Sequence, residues 1–137
     1  MKTNQFLLTA LLAISTSTCP GLRAAPGDQN ATRAIMRTKL VFSRNILEGI
    51  VLEKPDLVAR NARLLRDMSQ TNAFLALGFS DYLRYIKQYQ GNTDALAQAA
   101  REKNLTKASQ IFAKISNNCV ECHRSFRREQ YVRRDKE

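Results

Sequence analysis

Between 31 and 53 the chain places Met36, Leu40, Ser43, Leu47 and Ile50 at intervals of four and three, the repeat that gathers side chains on one face of an α-helix. Lys54-Pro55-Asp56 closes this segment and opens the next, because proline disfavours a helical residue before it and suits a helix's first turn. The second segment, about 56 to 71, carries Leu57, Asn61, Leu64 and Met68 on one side. From Ser69 to Gly78 the charges disappear, and Phe74, Leu75, Leu77 and Phe79 read as an apolar loop or extra turn. A third helix is expected from Ser80 or Asp81 to Lys103, with Tyr82, Ile86, Tyr89, Thr93, Leu96 and Ala100 inward and Gly91-Asn92 as a kink or break. After the short joint Asn104-Leu105-Thr106, a fourth helix to about Tyr131 presents Ala108, Phe112, Ile115, Cys119, Cys122 and Phe126. No stretch keeps the alternation a strand needs. Four amphipathic helices on short connections predict an all-α fold, an antiparallel up-down-up-down four-helix bundle.

The first residues break this pattern. Met1-Lys2 precedes the short apolar run Phe6 to Ile14, and small and polar residues follow to Thr18. That is the shape of a secretory leader, too short for a stable membrane anchor. Cleavage is expected near Ala24 or Ala25, which divides the chain into a leader, 1–25, and one domain, 26–137. Within the lead-in Pro26-Gly27-Asp28-Gln29-Asn30, Asp28 or Asn30 is placed to cap the first helix. Cys19 opens a rival reading as a lipidated cysteine, against which Thr18 is bulkier than the small residue such sites usually carry. No later apolar run is long enough to cross a bilayer.

The 137 residues carry a net charge of +10. Removing 1–25 takes Lys2, Arg23 and Cys19 and leaves 20 basic against 12 acidic side chains. Much of the excess is at the end, in Arg124, Arg127, Arg128, Arg133, Arg134 and Lys136. Such a surface steers acidic partners. Export and the lack of a binding motif argue against nucleic acid.

The specific chemistry lies in Cys119-Val120-Glu121-Cys122-His123. Two thiols three residues apart, followed at once by a histidine, can bond the vinyl groups along one haem edge while the imidazole sits under the iron. A structural zinc site needs four ligands, and this segment falls one short. A thioredoxin-like dithiol opens a helix in a strand-containing fold, unlike this all-helical pattern. The motif therefore predicts one covalent haem c with His123 as axial ligand. His123 is also the only histidine, so the sixth position falls to methionine, lysine, another group, an outside ligand or nothing.

In an up-down-up-down bundle the end of the fourth helix lies beside the starts of the first and third and the end of the second. The haem is thus expected among Met36, Leu40, Met68, Phe74 or Leu75, Tyr82, Tyr85, Ile86 and Phe126. Met36 as a thioether ligand would suit electron transfer, since an axial methionine raises the potential. Leu40 in that place would leave the iron five-coordinate and open to small gases.

With the motif near the end of the last of four helices, the chain resembles class II cytochromes c, the cytochrome c-prime type. The likeness is sharpest in Cys119-Val120-Glu121-Cys122-His123-Arg124-Ser125-Phe126-Arg127, with an aromatic three after the histidine and a basic residue four after it. Asn104-Leu105-Thr106-Lys107, fifteen residues before the first cysteine, stands where the family commonly begins its last helix. The resemblance implies a periplasmic haem protein with His123 proximal, Arg127 near the proximal haem face and a first-helix residue covering the distal face. It also implies pairing of two copies through the first two helices. Family members with methionine over the iron carry electrons, whereas those with leucine bind nitric oxide or carbon monoxide. Spacing to the helix end favours Leu40 and ligand chemistry favours Met36.

The first expectation is an electron carrier whose basic end docks acidic redox partners, and the second is a gas-binding protein. An enzyme fits least, because no second histidine or distal acid–base pair stands ready to handle peroxide or oxygen intermediates.

Overall fold

Two joints of the same design set the architecture. In the computed structural model, which describes residues 29–70 and 81–135, α1 (Gln29–Val51) turns into α2 (Pro55–Met68), and α3 (Tyr82–Arg101) turns into α4 (Leu105–Arg134). Glu53 and Lys103 take left-handed φ values of 53° and 55°. The reversal lets the Lys54 N–H donate to the Gly49 carbonyl at 2.7 Å and the Asn104 N–H donate to the Ala99 carbonyl at 2.9 Å. Each joint thereby satisfies carbonyls that a helix end leaves bare. Pro55 then starts α2, while Asn104 caps α4 by accepting from the Lys107 N–H at 2.9 Å. Chains that reverse this sharply must run antiparallel, and the result is an up-down-up-down four-helix bundle with no strand among the described residues.

Ile46, Val58, Leu65, Thr93, Leu96 and Ile115 are fully buried at its centre. Toward the two joints the core is made of small side chains, Ala97, Ala99 and Ala100 on α3 and Ala108 on α4, which let helix axes approach closely. Toward the other end α3 carries Tyr82, Tyr85, Ile86 and Tyr89 instead, and there a cavity lies between α3, α4 and α1, with α1 and α4 in the least contact of the four neighbouring helix pairs. The gradient from alanine to tyrosine along one helix opens the bundle at a single end.

The inward face of α3 follows the expected stripe, and α3 runs unbroken through Gly91. The α4 helix buries Ala108 and Ile115 of its expected stripe, but also Ile111, Asn118 and Ser125, while Cys119 is exposed. On α1 and α2 the stripes are each displaced by one residue. The face of α1 toward the bundle runs through Lys39, Phe42, Ile46 and Gly49, about 100° round the helix from Leu40, Ser43, Leu47 and Ile50. Leu40 and Leu47 are 70% and 51% exposed. On α2 Asn61 is buried as expected, but the rest of the buried face is Val58, Ala59, Ala62, Leu65 and Ser69, and Leu64 faces out. Both helices carry apolar residues on neighbouring stripes, so periodicity alone does not choose between them. Backbone approach does, because Gly49 is the place where α2 can come nearest. Asn30 falls inside α1 instead of capping it. The leader, Cys19, Asp28, Phe74 and Leu75 lie outside the described residues.

Candidate haem site

Cys119, Cys122 and His123 share a face of α4 because residues three and four apart lie one turn on from each other. They line a cavity with Asn118, with Met36 and Lys39 from α1, and with Tyr82, Tyr85, Ile86 and Tyr89 from α3. The cavity has a volume of about 60 Å³ and opens to solvent on one side. The walls are mostly rings and aliphatic carbon, with α4 supplying sulfur and imidazole and α1 supplying a thioether and an amine.

Neighbouring side chains hold this wall in place. Asn118 is 3% exposed, and its Nδ2 donates to Gln88 Oε1 at 3.2 Å, tying α4 to α3 beside Cys119. Further along, Ser125 Oγ donates to Asp81 Oδ2 at 3.1 Å, and Arg84 pairs with the same carboxylate at 3.2 Å. These contacts anchor the start of α3 to the turn of α4 that follows His123.

The electrostatics fit neutral donors around an apolar group. Although much of the His123 surface reaches solvent, burial, helped by the charges of Arg127 and Lys39, draws its imidazole below the usual value. The neutral ring is the form that lends iron a lone pair. Cys119 is exposed and Cys122 half-buried, yet protein packed about the thiols pushes both upward, with the Lys39 amine opposing the rise. Burial also pushes the Tyr82 hydroxyl up to about 12 and that of Tyr89 higher, so both stay protonated.

Of the residues named from sequence, Met36, Tyr82, Tyr85, Ile86, Cys119, Cys122 and His123 come together at the cavity. Leu40 does not, because the rotation of α1 turns it to solvent. Met68, half-buried on the displaced stripe of α2, lies outside the lining, as does half-buried Phe126. Arg127 stands in a separate groove with Gln130, Tyr131 and Arg134. Sequence reasoning missed Lys39, Tyr89 and Asn118 as cavity residues. Tyr89 was already legible as inward on α3, and Asn118 adjoins Cys119, but Lys39 becomes visible only once the stripe of α1 moves back by one residue.

Among the described residues no group of three or more histidine, cysteine, aspartate or glutamate side chains is placed to hold a metal ion by itself. The donor set instead suits a porphyrin, with two thiols for its edge and one imidazole for its iron. The residues present fit a haem.

The family model described as Cytochrome C' matches residues 78–127. The match runs through α3 and through α4 as far as Arg127, and so takes in the whole of Cys119 to His123. No curated protein and no solved structure matches the chain.

Proposed function

We propose that this chain, a cytochrome c′-like four-helix haem protein, is an exported single-haem electron carrier. One observation carries the reading: Met36 on α1 and His123 on α4 line the same cavity from different helices. In this reading Cys119 and Cys122 would hold the haem through thioether bonds, and His123 and Met36 would be the residues that offer donors to its iron. The haem supplies one-electron chemistry. The chain's own contribution is to keep its donors neutral, exclude water with Tyr82, Tyr85, Ile86 and Tyr89, and hold the site in a bundle that need not rearrange. Met36 would also favour the reduced state, as thioether ligation does.

The leader implies export, with the periplasm as destination, and no helix among the described residues is long and apolar enough to cross a membrane. Exposed Arg124, Arg127, Arg128, Arg133 and Arg134 at the end of α4 suit docking to an acidic redox protein. Leu40, Leu47 and Val51 on the outer face of α1, with Leu64 on α2, form an apolar exterior suited to a second copy of the chain. No substrate turnover is assigned.

Absorption spectra of the purified holoprotein, oxidised, reduced, and reduced under carbon monoxide, test the reading. Low-spin spectra that carbon monoxide leaves unchanged, with high-spin spectra after Met36→Ala, are expected. A high-spin protein that binds carbon monoxide and is indifferent to Met36→Ala would overturn the carrier and leave the alternative, a five-coordinate protein that binds nitric oxide or carbon monoxide.

A further inference from the structure

Lys39 stands one turn after Met36 on the face of α1 that looks into the bundle, and it lines the same cavity as Cys119, Cys122 and His123. A lysine in such a place loses hydration, and burial draws its amine below the usual value, with Cys119 and Cys122 opposing the fall. The fold supplies partial compensation. Lys39 Nζ lies 4.7 Å from the centroid of the Tyr89 ring, which is itself only 5% exposed, and an aromatic face attracts a cation more strongly when both are shielded from water. The lining of this apolar cavity contains one amine, that of Lys39, and its field reaches each residue that would attach or ligate a haem: both thiols and the imidazole.

We propose that Lys39 is a tuning residue, a cation built into the haem cavity that raises the reduction potential of the iron. Ferric iron carries one more positive charge than ferrous iron, so a nearby fixed cation disfavours the oxidised state. Within protein that repulsion is weakened less by solvent and salt than it would be at the surface. One electron from a donor redox protein reduces ferric to ferrous iron. The role requires only that the Lys39 amine carry its proton, and no bond to it forms or breaks. The effect rests on haem attachment at Cys119 to His123 and holds whether or not Met36 ligates the iron.

The test is a spectroelectrochemical titration of the holoprotein and of Lys39→Met, Lys39→Gln and Lys39→Arg, at low and at high salt. Both neutral variants should show a lower midpoint potential than the parent, Lys39→Arg should stay near it, and the gap should persist at high salt. All four spectra should report the same spin state. Equal midpoints in the parent and both neutral variants would overturn the proposal, as would a gap that vanishes with salt. A spin-state change in both neutral variants would also overturn it, because Lys39 would then be an iron ligand and not a fixed charge. The carrier reading fails separately, on a high-spin, carbon monoxide-binding parent, and the midpoint shift judges Lys39 in that case too.

Discussion

Gly49 of α1 lies directly against Val58 of α2: a Cβ added at Gly49 would stand 2.8 Å from Val58 Cγ2 and 3.2 Å from the Lys54 carbonyl oxygen. Val58 is fully buried and cannot swing away. Gly49→Ala should gain about 1 kcal/mol of helix propensity and lose about 1–3 kcal/mol to overpacking, so the variant is expected to be less stable than the parent. Urea unfolding followed by circular dichroism checks this, and a midpoint at or above that of the parent would contradict the close approach.

The same contact explains what the sequence left undecided. Apolar positions on α1 fit two neighbouring stripes, one through Leu40 and Leu47 and one through Phe42 and Ile46, and a 3.6-residue period cannot rank stripes 100° apart when both are apolar. What ranks them is where a neighbouring backbone fits, a property of the pair Gly49 and Val58 and not of either segment alone. The four helices, their order and the joints at Pro55 and Asn104 were legible because proline and asparagine act locally. Cys119, Cys122 and His123 were legible as a group because one helical turn brings them together. Lys39 was not, since reading it as a cavity residue requires the rotation of a helix that does not contain the motif.

Lys103 is a β-carbon-bearing residue at a position that suits glycine. Its φ of 55° costs an ordinary residue about 1–2 kcal/mol, part of which glycine returns through its greater freedom in the unfolded chain. Lys103→Gly should therefore stabilise the protein by about 0.5–1 kcal/mol, and Glu53→Gly should do the same at the other joint. Chemical denaturation with an unchanged slope and a raised midpoint is the expected result. A lowered midpoint in both variants would mean that the left-handed turns carry no strain.

Asp81 links the start of α3 to α4, and its carboxyl is held below the usual aspartate range, first by its hydrogen bond with Arg84 and then by that from Ser125. A carboxyl whose folded value is depressed contributes stability that is present above its unfolded value, near 3.8, and disappears as pH falls through the folded one. Asp81→Asn should thus destabilise the protein at neutral pH, and the difference from the parent should shrink once the pH falls below that of an unfolded aspartate. Melting curves of both proteins from neutral pH to about pH 2 would show the two lines converging on the acid side. Lines that stay parallel would remove Asp81 as the titrating group.

Without haem, the thiols of the motif report on the cavity directly. Burial pushes Cys119 and Cys122 above the ordinary thiol range, while the Lys39 amine pulls both back. The thiolate is the reacting species, so a chain carrying free thiols should be alkylated by iodoacetamide at mildly alkaline pH more slowly when folded than in urea. Lys39→Met removes the opposing charge and should slow the folded chain further, with no change in urea. If the variant reacts as fast as the parent when folded, the amine does not act on the sulfurs. If folded and unfolded parent chains react alike, the wall around Cys119 and Cys122 does not form before the haem is attached.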